Sequence, residues 1–280
     1  MQSIRCSRTT KMNEDPALYS KHCRRQKLDA NHFLDTYFRL LDVKNDAIIL
    51  DVGSGDGTVT LEALLPRLPN FSKLVVSDVS EKMVQFARGR FNDARIQTVR
   101  MNIADNNDSF TGYFDHIFSF YCLDMVPEER TPQAIRNIFE MLKPGGNFFG
   151  TLIVDATLYK FCDSMIQDNK WPRAMADFLK VISHYRDSDN PEDKFRFFLE
   201  NAGFEVQVCK HEKRNFTYVG FKNFLDYALS IFPVPKVSQE ERAKFVEDFE
   251  DTVRQRNFDD IDNVQFFYSV LVVCASKPGK

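Results

Sequence analysis

The stretch Asp51-Val52-Gly53-Ser54-Gly55-Asp56-Gly57-Thr58 follows a short apolar run, Ala47–Val52 (AIILDV), and opens a helical pattern over Thr58–Leu68, halted by Pro69. Glycine suits a place where the chain turns sharply and a ligand approaches the backbone closely. A bare strand–helix turn needs one or two glycines; three at alternate positions, with Asp51 and Asp56 beside them, point to a binding loop. Ligands settle outside the carboxyl ends of the strands in open α/β sheets, which is where this loop falls. The dinucleotide fingerprint GxGxxG is not met, because the third glycine comes one position early and Thr58 takes its slot. No Lys-Ser/Thr pair follows, which excludes a Walker A loop. Carboxylates at this bend repel a pyrophosphate and favour a ligand with a positive centre. An adenosine bearing a cationic amino-acid arm fits that requirement.

Outward from the loop, apolar runs alternate with helical patterns. Lys73–Asp78 (KLVVSD), Arg95–Asn102, His116–Tyr121 and Asn147–Val154 read as further strands, Phe204–His211 as the next and Gln265–Ser276 as the last. Most of these runs are apolar throughout, as strands covered on both faces are. Strand–helix alternation at this spacing predicts a parallel sheet with helices on both sides. Ser80 is placed as the cap of a helix reaching about Arg90, and Pro132–Leu142 as another. Asn190, Pro191 and Gly203 bracket a third, with proline at the first position and glycine at the far cap. Asp78 ends the second strand, 21 residues after Gly57, where a carboxylate accepts from both ribose hydroxyls. Val79 and Met83 lie beside it, and Asn102-Ile103 at the third strand's end flank the expected adenine.

Residues 1–11 read as a tail, and the domain spans 12–280, with Met12 a candidate alternative start. Leu18, Phe33, Leu34, Tyr37, Phe38 and Leu41 recur at helical spacing in an N-terminal segment, 16–41. Two insertions, 155–190 and 216–258, are too long for plain connections and are expected to form a helical lid, the second broken by Pro233 and Pro235. The chain carries 27 Phe and 9 Tyr but one Trp, Trp171, more aromatic surface than a sheet core needs, which suggests an apolar cavity.

The 37 Lys+Arg and 40 Asp+Glu give a net charge of −3, no field for nucleic acid or an anionic membrane. No apolar run nears the ~18 residues of a membrane span, and Met1–Cys6 has no leader-like stretch. A soluble cytoplasmic protein is expected, with no feature that sets an oligomeric state. The six cysteines are scattered, without CxxC pairs or zinc-ligand spacing, and read as reduced; no metal is expected.

The glycine loop, the acid Asp78 and the turn Lys143-Pro-Gly-Gly146 together resemble the class I S-adenosylmethionine-dependent methyltransferases. The resemblance implies a seven-stranded Rossmann-like sheet in the order 3-2-1-4-5-7-6 with strand 7 antiparallel, and S-adenosyl-L-methionine as cofactor. On it, Asp51, Gly53, Ser54, Gly55, Gly57, Asp78, Val79, Met83, Asn102, Ile103 and Ser119 hold the cofactor. Leu18-Tyr19, Gln26-Lys-Leu-Asp29-Ala30, the block DVGSGDGTVT, Phe114–Leu123 (FDHIFSFYCL) and the closing aromatic strand more narrowly resemble the arthropod juvenile hormone acid O-methyltransferases. That resemblance implies methylation of the carboxylate of farnesoic acid or juvenile hormone acid, with Gln26 orienting it. Where that family has His-Trp after FSFYCL, this chain has Asp124-Met125. Tyr121, Met125 and Trp171 are candidate walls of the substrate pocket.

A carboxylic acid of pKa about 4 is already ionised at neutral pH, so no general base is expected. The competing readings are methylation of another small acid, of the fatty or trans-aconitate type, methylation of protein or nucleic acid, and a methyltransferase-fold binding protein without turnover.

Overall fold

The run Ile48–Val52 forms β1, with Lys73–Asp78 (β2) and Ile96–Arg100 (β3) laid parallel on one side of it. Phe114–Phe120 (β4) and Leu142–Ala156 (β5) continue the parallel sheet on the other side. Glu205–Val219 (β6) and Asn263–Ser276 (β7) complete seven strands in the order β3-β2-β1-β4-β5-β7-β6, with β7 antiparallel to both neighbours. The expected order and the antiparallel seventh strand are both present. These features come from a computed structural model describing residues 15–169, 171–179, 182–231, 238–255 and 262–279. The expected tail 1–11, Met12, Pro233 and Pro235 lie outside the described residues.

Successive strand residues point to opposite faces. Ile49 therefore joins the core cluster on one side of the sheet, and Leu50 the cluster on the other. Both side chains are fully buried, as strands covered on two faces require. β6 differs: it is an edge strand with an alternating burial pattern, and Val219 at its end is 68% exposed.

Several elements depart from expectation for local reasons. The N-terminal segment is two helices, α1 (Pro16–His22) and α2 (Arg24–Tyr37), joined at Cys23 and followed by a 3₁₀ turn, Phe38–Leu41. The helical stretch after the glycine loop contains a π turn, Thr60–Leu64, and then a 3₁₀ turn, Leu65–Arg67. Pro66, which has no N–H to give an α-helical bond, disrupts it there before Pro69 is reached. Ser80 sits at the start of α3 (Glu81–Arg88), yet its side chain makes no capping bond. α4 (Thr131–Met141) leads into β5, and α7 (Pro191–Ala202) carries the expected caps: Asn190 accepts from the Asp193 N–H, and Gly203 turns with φ +106°.

The first insertion holds α5 (Thr157–Gln167) and α6 (Pro172–Leu179). The second begins later than expected, because β6 pairs with β7 as far as Val219; its helices are α8 (Phe221–Ile231) and α9 (Gln239–Gln255). α8 packs on α1 and α9 on α5, so the insertions and the N-terminal helices form one layer over a sheet face.

Candidate active site

The strand β1 must hand the chain to a helix within a few residues, and the three loop glycines do so with φ of +70°, +59° and +80°. Gly53 has a second constraint: a Cβ there would lie 2.2 Å from Cys122 Sγ and 2.4 Å from its Cβ. The loop is pinned to β2 by two bonds. Ser54 N–H donates to the Ser77 carbonyl (2.8 Å), and Gly55 N–H donates to Asp78 Oδ2 (2.9 Å). The other Asp78 oxygen accepts from Ser80 N–H (2.8 Å). Burial raises the Asp78 carboxyl's pKa, opposed by these backbone donors.

Asp51 is 1% exposed. One of its oxygens accepts from the Thr60 hydroxyl (2.5 Å), and the other has no partner. Burial pushes its pKa up to about 7; the Thr60 bond opposes this and the Asp78 charge adds to it. Asp56 plays a different part from the one its sequence position suggests. It is buried, bonded to Thr58 and ion-paired with Arg90 at 2.6 Å, so its charge is already compensated. The acid left for a cationic ligand is Asp51.

Around this loop the other expected cofactor residues divide. Val79 is 45% exposed at the rim and Met83 is buried on α3. Asn102 caps its own turn by accepting from Ala104 N–H, while the Ile103 carbonyl accepts from Asn137. The Ser119 hydroxyl is fully buried and donates to the Val52 carbonyl, tying β4 to β1.

Of the expected substrate residues, Tyr121 joins a buried polar cluster around Asp29. Tyr121, with φ +55° just past β4, donates its hydroxyl to Asp29 Oδ2 (2.8 Å). Asp29, 2% exposed on α2, also accepts from Tyr268 (2.8 Å), Arg214 (3.0 Å) and Arg25 (3.2 Å). Gln26 is 4% exposed, and its side-chain oxygen has no partner. Met125 packs against the core on the insertion side of the sheet. Trp171 has turned its indole N–H to Asp248 of α9 (2.8 Å) and set its ring edge-on to Phe245, so it clasps the two insertions together. Asp124 is buried, with one oxygen unpartnered; burial pushes its pKa up to about 7, against backbone donors and the charge of Arg25. Cys122, between Tyr121 and Leu123, has its thiol pKa raised by burial and acts as a packing group over Gly53.

The sequence expectations missed Arg25 and Asp29 as a pair. Their spacing of four on a helix was the available signal, because it places both on one face.

Residues 49–146 match the family described as methyltransferase domain. Over 254 residues the chain is 28% identical to juvenile hormone acid O-methyltransferase of Drosophila melanogaster, covering 88% of this chain and 85% of that one. Identity to the Bombyx mori protein of the same name is 29% over 276 residues, with 93% and 96% covered. Among solved structures, phosphoethanolamine N-methyltransferase 2 of Haemonchus contortus, in complex with S-adenosyl-L-methionine, superposes with a TM-score of 0.51 at 20% identity, covering 89% of this chain and 52% of that one. The chain thus carries a methyltransferase domain over residues 49–146 and resembles the juvenile hormone acid O-methyltransferases along most of its length.

Proposed function

We propose that this protein is an S-adenosyl-L-methionine-dependent O-methyltransferase acting on the carboxylate of a small lipophilic acid, such as farnesoic acid or juvenile hormone acid. The observation that carries the reading is the glycine loop, with an unpartnered Asp51 oxygen at its base. A buried carboxylate oxygen without a partner is costly, and a cationic ligand removes that cost. S-adenosyl-L-methionine, when bound, supplies an activated methyl group.

The residues of this chain then bind and orient. Asp51 meets positive charge, Asp78 offers its remaining lone pairs to ribose hydroxyls, and the glycines leave the backbone bare for close approach. Gln26 orients the acid through its amide, and the helices of the two insertions keep water away from the reacting oxygen. Positioning of this kind supplies most of what a pre-ionised nucleophile requires.

Burial pushes the Asp124 carboxyl's pKa up to about 7 and so favours its neutral form, which lessens the negative charge set where the resembled family has histidine.

Incubation with methyl-labelled cofactor and a panel of farnesoic, dodecanoic and trans-aconitic acids tests the reading. Base-labile volatile label from farnesoic or dodecanoic acid is expected. Label on protein alone, or on trans-aconitic acid alone, contradicts it.

A further inference from the structure

We propose that the Arg25 guanidinium receives the substrate's carboxylate, and that it selects a single carboxylate carried on an apolar body. The inference rests on the reading of the substrate as a lipophilic acid and adds the residue that recognises its charge. Arg25 is 3% exposed, yet it is under-bonded for a buried cation. Its Nε has no partner. Its other two nitrogens reach Asp29 Oδ2 at 3.2 Å and the Tyr227 hydroxyl at 3.3 Å, at or beyond the long end of N–H···O bonding. Asp29 cannot satisfy it further, since its oxygens already accept from Arg214, Tyr121 and Tyr268. Two guanidiniums thus face one carboxylate, and the more deeply buried of them keeps donors in reserve.

Aromatic rings surround that cation. Its central carbon lies 4.6 Å from the ring centroid of Tyr268, 5.1 Å from Tyr121, 5.6 Å from Tyr227 and 5.8 Å from Phe266. Rings hold a guanidinium by their faces, so its edge is left to hydrogen-bonding groups, here only the long bonds to Asp29 and Tyr227 and an unpartnered Nε. The edge is the fork that grips a carboxylate through parallel N–H bonds. Further buried polar atoms lack partners nearby. Arg25 acts on the Tyr218 hydroxyl both as a charge and as a hydrogen-bond partner. Its charge also reaches Asp124, one oxygen of which has no partner, and Gln26, whose side-chain oxygen has none, is the next residue in the chain. In this arrangement a carboxylate oxygen takes the place of the Tyr227 hydroxyl on Arg25, and Tyr227 belongs to α8 of the second insertion. An acid with one charge fits; a tricarboxylate brings two more charges into a ring-lined space.

The test compares farnesoic acid with its neutral methyl ester, both binding to protein loaded with S-adenosylhomocysteine. In Arg25→Gln the acid is expected to bind roughly 10- to 100-fold more weakly, as loss of a charged hydrogen-bonding partner implies. The affinities for the ester and for S-adenosylhomocysteine stay within a few-fold, and Arg25→Lys recovers part of the preference for acid. A merely structural arginine weakens acid and ester together, and that result overturns the proposal, as does an acid affinity left unchanged. Wild-type protein that binds S-adenosylhomocysteine but methylates no acid overturns the functional reading and this one with it. Turnover of acid by wild type with Arg25→Gln unaffected overturns this one alone. Should Arg25→Gln fail to fold, a crystal structure of the wild type with S-adenosylhomocysteine and farnesoic acid decides: the carboxylate lies on Arg25, or the proposal is wrong.

Discussion

The glycine loop and the Arg25–Asp29 cluster are both buried and charged, and they are assembled in opposite ways. In the loop, Asp51 bonds Thr60 nine residues away and Asp56 bonds Thr58 two residues away. In the cluster, Arg25 reaches Tyr227 across 202 positions and Asp29 reaches Tyr268 across 239. The loop is shaped by local backbone conformation and then pinned to β2, whereas the cluster forms only when α2, β6, β7 and α8 have packed. Damage to the first is expected to show in cofactor binding, and damage to the second in stability and acid recognition with cofactor binding spared.

The largest effect that tests this contrast is on Asp29. Asp29→Asn leaves a buried Arg25 without its charge partner, which costs about 3–5 kcal/mol. Chemical denaturation reads the loss, while the folded fraction still binds S-adenosylhomocysteine with wild-type affinity. Equal loss of cofactor affinity would show that the two regions are one unit.

Gly53→Ala follows. Overcrowding against Cys122 (~1–3 kcal/mol) and a left-handed non-glycine residue (~1–2 kcal/mol) together cost about 2–5 kcal/mol. S-adenosylhomocysteine binding is expected to disappear from calorimetry. Adding Cys122→Gly removes the steric part and leaves the backbone part, so partial recovery of stability separates the two.

Asp78→Ala is expected to weaken S-adenosylhomocysteine roughly 10- to 100-fold, as loss of a charged acceptor does, with little change in the denaturation midpoint of the Asp29 cluster's elements. A larger stability loss than affinity loss would mean that Asp78 mainly holds Gly55 and Ser80 in place.

The smallest effect is a pH dependence. A carboxyl raised from 3.8 to about 7 by burial gives stability that is complete below its unfolded value and is lost as pH rises through about 7. Asp124→Asn removes that dependence. The wild type's melting temperature should therefore fall more than the variant's between about pH 5 and about pH 8. Parallel curves would show that Asp124 is ionised throughout.

The strand runs and the binding loop were legible in the sequence because both rest on short-range signals, whereas the order of the strands followed only from the resemblance. Apolar runs of strand length, caps such as Asn190 and Gly203, and glycines at alternate positions each act within a few residues. What escaped was long-range. The extension of β6 to Val219 is completed by pairing with Asn263 at the start of β7; Asn215–Val219 (NFTYV) does alternate as a strand does, but the charged run 210–214 before it breaks the apolar pattern. The compensation of Asp56 by Arg90 requires α3 to fold back on the loop. In the sequence Arg25 is one of two adjacent arginines, and only the rings of Tyr121, Phe266 and Tyr268 packed around it set it apart. Trp171 was legible as an unusual residue, but its bond to Asp248 needed both insertions in place.

Calorimetric titration of S-adenosylhomocysteine into the wild-type protein, repeated with Asp51→Asn and Asp78→Ala, tests the assignment of the β1 loop most directly. Saturable one-to-one binding that Asp78→Ala weakens is expected, with Asp51→Asn further lowering the preference for cationic S-adenosyl-L-methionine over the neutral product. Absence of heat and of any thermal stabilisation, or binding indifferent to both substitutions, would place the ligand elsewhere and contradict the assignment.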